Sequence, residues 1–240
     1  MKTIDLSLII PCFNEEKILD ISLAEIESVL ENSRISYEII LIDDKSTDKT
    51  VKSLKKYEKK KNYSVYYHEV NQGRGKTVSD GITVSRGKVV GFIDIDLEVS
   101  PLYIPYFVNK IIRREADVVT GYRIYRDSII SLHRMILSRG YSILVRKLLS
   151  INHKDTETGY KFFNRKKIIP VLKQTTSNHW FWDTEIISLA YKSKLKIIEI
   201  PVLFLRRLDK KSTVHVVKDT YDYLVHLYKF RRRLSKLNLR

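Results

Sequence analysis

Five short apolar runs punctuate the first 120 residues. Leu6–Pro11 (LSLIIP) is stopped by a proline, Tyr37–Ile42 (YEIILI) by two aspartates and Lys88–Ile95 (KVVGFIDI) by further acids; Val65–His68 and Asp117–Thr120 complete the series. Their lengths and near-continuous apolarity suit buried strands. Between them the spacing turns helical. Residues 15–31 carry Ile18, Leu19, Ile21, Leu23, Ile26 and Leu30 among acids. Ser46, Thr47 and Asp48 offer N-cap chemistry for a helix to about Lys60, residues 73–86 read as a loop and then a helix, and Pro101 opens a helix to about Glu115. Strand–helix alternation of this kind predicts an α/β protein with a mostly parallel sheet covered on both faces. Such sheets bind ligands beyond the carboxyl ends of their strands, where Asp43, Asp44, Asp94 and Asp96 fall.

After Gly121 the pattern changes. Residues 128–151 are helical in period but dotted with Arg134, Arg139, Arg146 and Lys147, which predicts one or two basic amphipathic helices. Residues 183–192 read as a helix, 196–205 as a late strand, and 214–237 as a last helix ending in Arg231, Arg232 and Arg233. No internal repeat or Gly/Pro/Ser linker interrupts the chain. The division expected is one domain over 1–212, with a donor half (1–121) and an acceptor half (122–212), followed by a basic amphipathic helix over 213–240.

Charge sharpens that division. The chain has 240 residues and a formal net charge of +16. Residues 1–100 hold 15 basic and 17 acidic side chains, residues 101–205 hold 18 and 8, and residues 206–240 hold 11 and 3. All of the excess therefore lies in the last 140 residues, which look built to face something anionic. The 25 aromatic residues form no nucleic-acid recognition motif, so a basic nucleic-acid-binding module is the distant alternative and no nucleic-acid partner is expected. A single cysteine, Cys12, excludes a disulfide framework and a cysteine-based zinc site. The N-terminus reaches polar and turn residues too soon for a secretion signal, and no window of about 18 residues is free of charge. The six histidines are scattered and receive no catalytic role.

Asp94 and Asp96 carry the strongest local signal. Alternate residues at a strand end can converge, and two converging carboxylates call for a cation; Mg²⁺ or Mn²⁺ suits oxygen ligands and also accepts phosphate oxygens. A solvated acidic loop is the plain alternative. The segments PCFNE at 11–15, DDKSTDKT at 43–50 and the loop Gly73-Arg74-Gly75-Lys76 end other strands the same way, and the last brings two cations and backbone N–H groups suited to a diphosphate.

In this order and spacing PCFNE, DDKSTDKT, NQGRGKTVSDG and DIDLE resemble the family 2 glycosyltransferases of GT-A fold, the Rossmann-like nucleotide-diphospho-sugar transferases. The second half resembles their polyprenyl-phosphate branch, the dolichyl-phosphate mannose and glucose synthases. Gly121-Tyr122-Arg123, Ser138-Arg139-Gly140, DTETGYKFF at 155–163, FWDTEI at 181–186, EIPV at 199–202 and the basic loop 206–212 carry it. The resemblance implies that Pro11, Phe13, Glu15, Asp43, Asp44 and Arg74 line the nucleotide. Asp94 and Asp96 would hold the metal and donor diphosphate, with Glu98 as a further metal ligand. Arg123 and Arg139 would bind the acceptor phosphate, joined by Arg207 and Lys211 in a loop that reads RRLDKKST and lacks the family's glycine. Asp183 and Glu185 would orient sugar or acceptor; for Glu185, a helix N-terminal acid facing the dipole is the plain alternative.

The activity expected from the resemblance is an inverting, metal-dependent transfer of a hexose from a nucleotide diphosphate sugar, of GDP-mannose or UDP-glucose type, to a polyprenyl or dolichyl monophosphate. The site then has to supply positioning and charge neutralisation more than a strong base. A family 2 enzyme acting on a hydroxyl of a saccharide or lipid-linked glycan is the alternative. Bacterial relatives often continue into transmembrane helices. This sequence shows none, so the expectation is a peripheral enzyme on the cytoplasmic face of a membrane, reaching its lipid through basic surface helices on anionic headgroups or through a membrane-protein partner.

Overall fold

The computed structural model describes residues 3–125, 132–206 and 216–236. In chain order the elements are β1 (Leu6–Cys12), α1 (Leu19–Glu31), β2 (Tyr37–Asp43), α2 (Thr50–Leu54), β3 (Tyr63–Tyr67), α3 (Arg74–Val84), β4 (Val89–Ile93) and α4 (Ile104–Ile112). Then follow β5 (Val118–Tyr125), α5 (Leu132–Leu149), β6 (Tyr160–Asn164), α6 (Arg165–Leu172), α7 (Trp182–Lys192), β7 (Ile197–Phe204) and α8 (Val216–Leu234).

The strands form one sheet in the order β3-β2-β1-β4-β6-β5-β7. β1 pairs in parallel with β2 and β4, β2 with β3, and β5 with β7. β6 is antiparallel to both its neighbours, β4 and β5. The sheet is thus mostly parallel, with one reversed strand near its middle. That reversal matters for the site, because the segment leading into β6 is delivered to the edge where β1, β2 and β4 end.

Pleating sorts the strand side chains between two cores. Leu8 and Ile10 of β1 join Ile39 and Leu41 of β2 under α1 and α4, with Leu23, Ile26, Phe107 and Val108. Ile9, Ile40 and Ile42 face the other side, with Val78 of α3, Phe92 of β4, and Trp182 and Ile186 of α7. Val145 and Leu149 of α5 and Leu227 and Phe230 of α8 pack into this second core. The basic helices are therefore seated on the domain by an apolar stripe. Leu224, Tyr228, Arg231 and Arg232 of α8 remain exposed. No helix among the described residues is long and apolar enough to cross a membrane.

Local differences from the sequence reading have physical causes. β4 stops at Ile93, so Asp94 and Asp96 stand in a turn rather than on alternate strand positions. That turn is closed by Leu97 N–H donating to the Asp94 carbonyl at 3.3 Å, with Leu97 at φ 53°. α2 is five residues long and gives way to irregular turns before β3. β6 and α6 are absent from the sequence reading altogether. β6 is a five-residue strand with Lys161 at its second position, and that charge hides an otherwise apolar run.

Candidate active site

The ends of β1 and β2 are knitted together before any ligand is considered. Asn14, held at φ 59°, accepts from Thr47 N–H at 2.7 Å and donates its own N–H to Ser46 Oγ at 2.9 Å. Glu15 N–H donates to Thr50 Oγ1 at 2.7 Å. Pro11 is half-buried in β1 and Phe13 is 44% exposed at the lip. Asp44 is buried and organises the next loop. Its carboxylate receives the N–H groups of Gln72 and Gly73 at 2.8 and 2.9 Å and lies 2.8 Å from His68 Nδ1. Asp43 accepts from Ser46 N–H through Oδ2, whereas its Oδ1 is buried with no hydrogen-bond partner. An unsatisfied carboxylate oxygen at that depth costs about 1–3 kcal/mol, and a ligand donor placed there would recover it.

A cluster of alternating charges lies across the ends of β4 and β6. Arg74, the first residue of α3, donates Nε and Nη2 to Asp94 Oδ1 at 2.9 and 2.6 Å, and Nη1 to Asp183 Oδ2 at 2.6 Å. Its guanidinium lies between two rings, 5.2 Å from the Phe92 centroid and 5.3 Å from that of Trp180. Burial alone would lower the Arg74 pKa, but Asp183 and Asp94 more than offset it and hold the group firmly charged. Lys161 Nζ meets the other oxygen of Asp183 at 2.6 Å. Burial pulls the Lys161 pKa down, against the attraction of Asp183. Gly159 makes the approach feasible: a Cβ there would lie 1.8 Å from Asp94 Oδ2.

A second charged group stands alongside. Arg123 of β5 binds Asp155 in a fork, Nε to Oδ2 at 2.7 Å and Nη2 to Oδ1 at 2.9 Å, and reaches Glu157 at 3.7 Å. Burial would raise the Asp155 pKa, but Arg123 holds it below the usual range. Glu157 is pushed up to about 7 by burial and by Asp155 and Asp183, against the pull of Arg123. His153, behind this pair, is pushed down to about 3 by burial and by the Lys161 charge, so it is neutral at physiological pH.

The sequence-predicted residues thus divide. Arg74, Asp94 and Asp183 come together in one bonded cluster, with Asp96 and Glu98 in the adjoining turn, where Glu98 N–H donates to Asp96 Oδ1 at 3.4 Å. Lys76, which the loop reading paired with Arg74, instead binds Asp80 one helical turn on. Glu185 stands apart from the cluster. It is fully buried and accepts from Thr176 and Ser177 N–H and from Arg233 of α8. Arg207, Lys211 and the side chain of Arg139 lie outside the described residues. Sequence reasoning assigned no role to Lys161, Glu157, Gly159 or Trp180. A lone lysine inside an apolar run, two residues after a glycine, was the available signal for the first of these.

Asp94 and Asp96 supply oxygen donors of the kind a hard divalent cation takes, and both are half-exposed. No three acids, histidines or cysteines converge on a common point among the described residues. The chain therefore offers two carboxylates, which fits a cation that completes its shell with water and phosphate oxygens.

The sequence matches the family described as Glycosyl transferase family 2 over residues 7–172. It is 30% identical over 137 residues to the dodecaprenyl-phosphate galacturonate synthase of Rhizobium johnstonii, covering 56% of this chain and 40% of that protein. It is 31% identical over 251 residues to the dolichyl-phosphate beta-glucosyltransferase of Dictyostelium discoideum, covering 94% of this chain and 77% of that protein. The fold is similar to that of glucosyl-3-phosphoglycerate synthase from Mycobacterium tuberculosis, solved with Mn²⁺, uridine diphosphate and glucosyl-3-phosphoglycerate. The TM-score is 0.72 at 17% identity, over 94% of this chain and 79% of that one.

Proposed function

The chain belongs to the family 2 glycosyl transferases, and from that premise we propose that it moves a hexose from a nucleotide diphosphate sugar to a polyprenyl or dolichyl monophosphate, inverting the anomeric carbon. The observation that carries the reading is the Arg74 bridge between Asp94 and Asp183 at the sheet's carboxyl end, where one guanidinium joins the acid of the donor half to the acid of the acceptor half. The two relatives that act on prenyl-phosphate substrates by name support the acceptor class.

In this proposal Phe13 and the unsatisfied Asp43 Oδ1 receive the nucleoside, and Asp44 holds the 68–73 loop that presents Arg74. Asp94 and Asp96 hold Mg²⁺ or Mn²⁺, which when bound neutralises the leaving diphosphate. Arg74 is placed to follow the developing charge, since its fork binds phosphate as readily as carboxylate. Arg123 would give up part of its fork on Asp155 to bind the acceptor phosphate, and Arg139, Arg207 and Lys211 are proposed to join it. The phosphate is already anionic, so Asp183 acts by fixing Arg74 and Lys161 rather than by taking a proton. The reaction runs at the cytoplasmic face of a membrane. Leu224 and Tyr228 dip into the interface while Arg231 and Arg232 meet anionic headgroups, each worth about 1 kcal/mol.

The test is transfer of radiolabel from a panel of nucleotide sugars into an organic-extractable product, with polyprenyl phosphate and Mg²⁺ or Mn²⁺, and Asp96→Ala as control. Label entering the lipid from one donor and lost in the variant is the expected result. Label entering a saccharide instead would move the acceptor to a hydroxyl. No transfer with any donor would overturn the reading.

A further inference from the structure

We infer that Arg233, on the C-terminal helix α8, is a positioning residue for the site, acting through Glu185 on the segment that carries Trp180 and Asp183. The assay of this inference rests on the transfer reading above; its structural basis does not.

The connection can be followed bond by bond. Arg233 Nη2 donates to Glu185 Oε1 and reaches the Gln174 carbonyl at 3.3 Å, while Nη1 donates to Thr176 Oγ1. Glu185 in turn accepts from Thr176 N–H at 3.1 Å and Ser177 N–H at 2.8 Å. The turn at 174–177 is thereby tied to α7 on one side and to α8 on the other. Its continuation lies against the start of α3. Lys76 N–H donates to the Asn178 carbonyl at 2.9 Å, and a Cβ on Gly75 would stand 2.4 Å from Trp182 Cβ. From this stretch Trp180 covers the Arg74 guanidinium and Asp183 binds it.

α8 grips the same segment a second time. The Phe181 ring meets Phe230 at 5.7 Å, Tyr223 at 6.0 Å and His226 at 5.8 Å between centroids. Between them, Phe230 and Arg233 hold residues 174–185 from one helix turn of α8. The donor acid Asp94, the guanidinium that bridges it and the ring that covers that guanidinium therefore depend on a helix that follows the last strand and packs on one face of the sheet. Displacements near 1 Å in such a constellation cost as much as a hundredfold in rate.

The full chain with Arg233→Met provides the test, because Glu185 keeps its backbone donors in that variant and the fold has its aromatic contacts to rely on. Two readouts are taken: steady-state transfer, and hydrogen exchange of backbone amides. Transfer should fall about tenfold to a hundredfold in kcat/KM. Amides at 174–178 should exchange faster, and so should those at 73–77, which touch neither Arg233 nor Glu185. Arg233→Lys, which keeps one charged donor, should recover part of the activity. Unchanged kcat/KM in Arg233→Met, or faster exchange confined to 174–178, would overturn the inference and leave Arg233 as an ordinary anchor of α8. Absence of transfer in the wild-type chain would instead count against the functional reading, with the exchange pattern at 73–77 still deciding whether the linkage exists.

Discussion

The two ends of the sheet each hold a carboxylate bound by an arginine, and they are built differently. At the amino end Glu38 takes Arg86 Nε at 2.8 Å, Arg86 N–H at 2.9 Å and Ser7 Oγ at 2.6 Å. Its partner Arg86 is 62% exposed, so the guanidinium stays in water while the carboxylate is served by fixed donors. At the carboxyl end the order is inverted. The cations Arg74 and Lys161 are the deeply placed groups, and Asp94 is the exposed one at 39%. A buried cation holding a solvent-facing carboxylate can exchange it for another anion; a buried carboxylate held by a backbone N–H and a serine hydroxyl cannot. Residue type alone does not distinguish the two ends. The side of the pair left facing water does.

The sharpest way to break this contrast is Asp183→Asn. The amide leaves two buried cations without their shared counter-ion, a loss of about 3–5 kcal/mol readable in urea denaturation, together with loss of transfer. Next is Arg74→Met, which removes the bridging donor. Transfer should drop about a hundredfold in kcat/KM with a smaller loss of stability, since Asp94 returns to water. Arg74→Lys should not restore it, because an ammonium cannot span Asp94 and Asp183 together. At the opposite end Glu38→Gln should cost about 1–3 kcal/mol in urea denaturation and leave kcat and KM unchanged. A kinetic effect of Glu38→Gln would show that the two ends are not separable. The smallest effect expected is that of Glu157→Gln. With its folded pKa raised to about 7, Glu157 contributes stability that is present below about 4.5 and lost as pH rises through 7. The amide removes that dependence, so urea midpoints at pH 5 and pH 8 should move closer together than in the wild-type chain. His153 works in the opposite sense: held near 3, its contribution is present above 6.5 and lost as pH falls toward 3.

Most of the framework was legible from the chain because parallel strands buried on both faces announce themselves as apolar runs. β1 and β2 fall within a residue of the runs at Leu6–Pro11 and Tyr37–Ile42, and the ends of those runs mark where the site lies. What stayed hidden was what tertiary contacts decide. β6 is five residues long and takes its meaning from antiparallel pairing between β4 and β5, both separated from it in sequence by α5. The residues DTETGYKFF were recognisable as a motif, but Lys161 as the counter-charge of Asp183 follows only from a strand running backwards beside β4. Glu185 shows the converse. It sits in a recognisable motif with an acid two residues before it that faces the cluster, and its own carboxylate points at α8. Adjacent positions on a helix diverge by about 100°, so a motif read as one unit is split by the geometry that carries it.

The Arg74 bridge also fixes an order of events during synthesis. Arg74 and Asp183 are separated by 109 residues, whereas Glu38 and Arg86 are separated by 48. At about 5–20 residues per second the ribosome takes on the order of 5–20 s to supply Asp183 after Arg74 has emerged. β1, β2, β3 and β4 can pair in that interval, with the amino-end ion pair complete. The guanidinium of Arg74 meanwhile has Asp94 to bind but not Asp183, and the carboxyl edge closes last, around strands that have already paired.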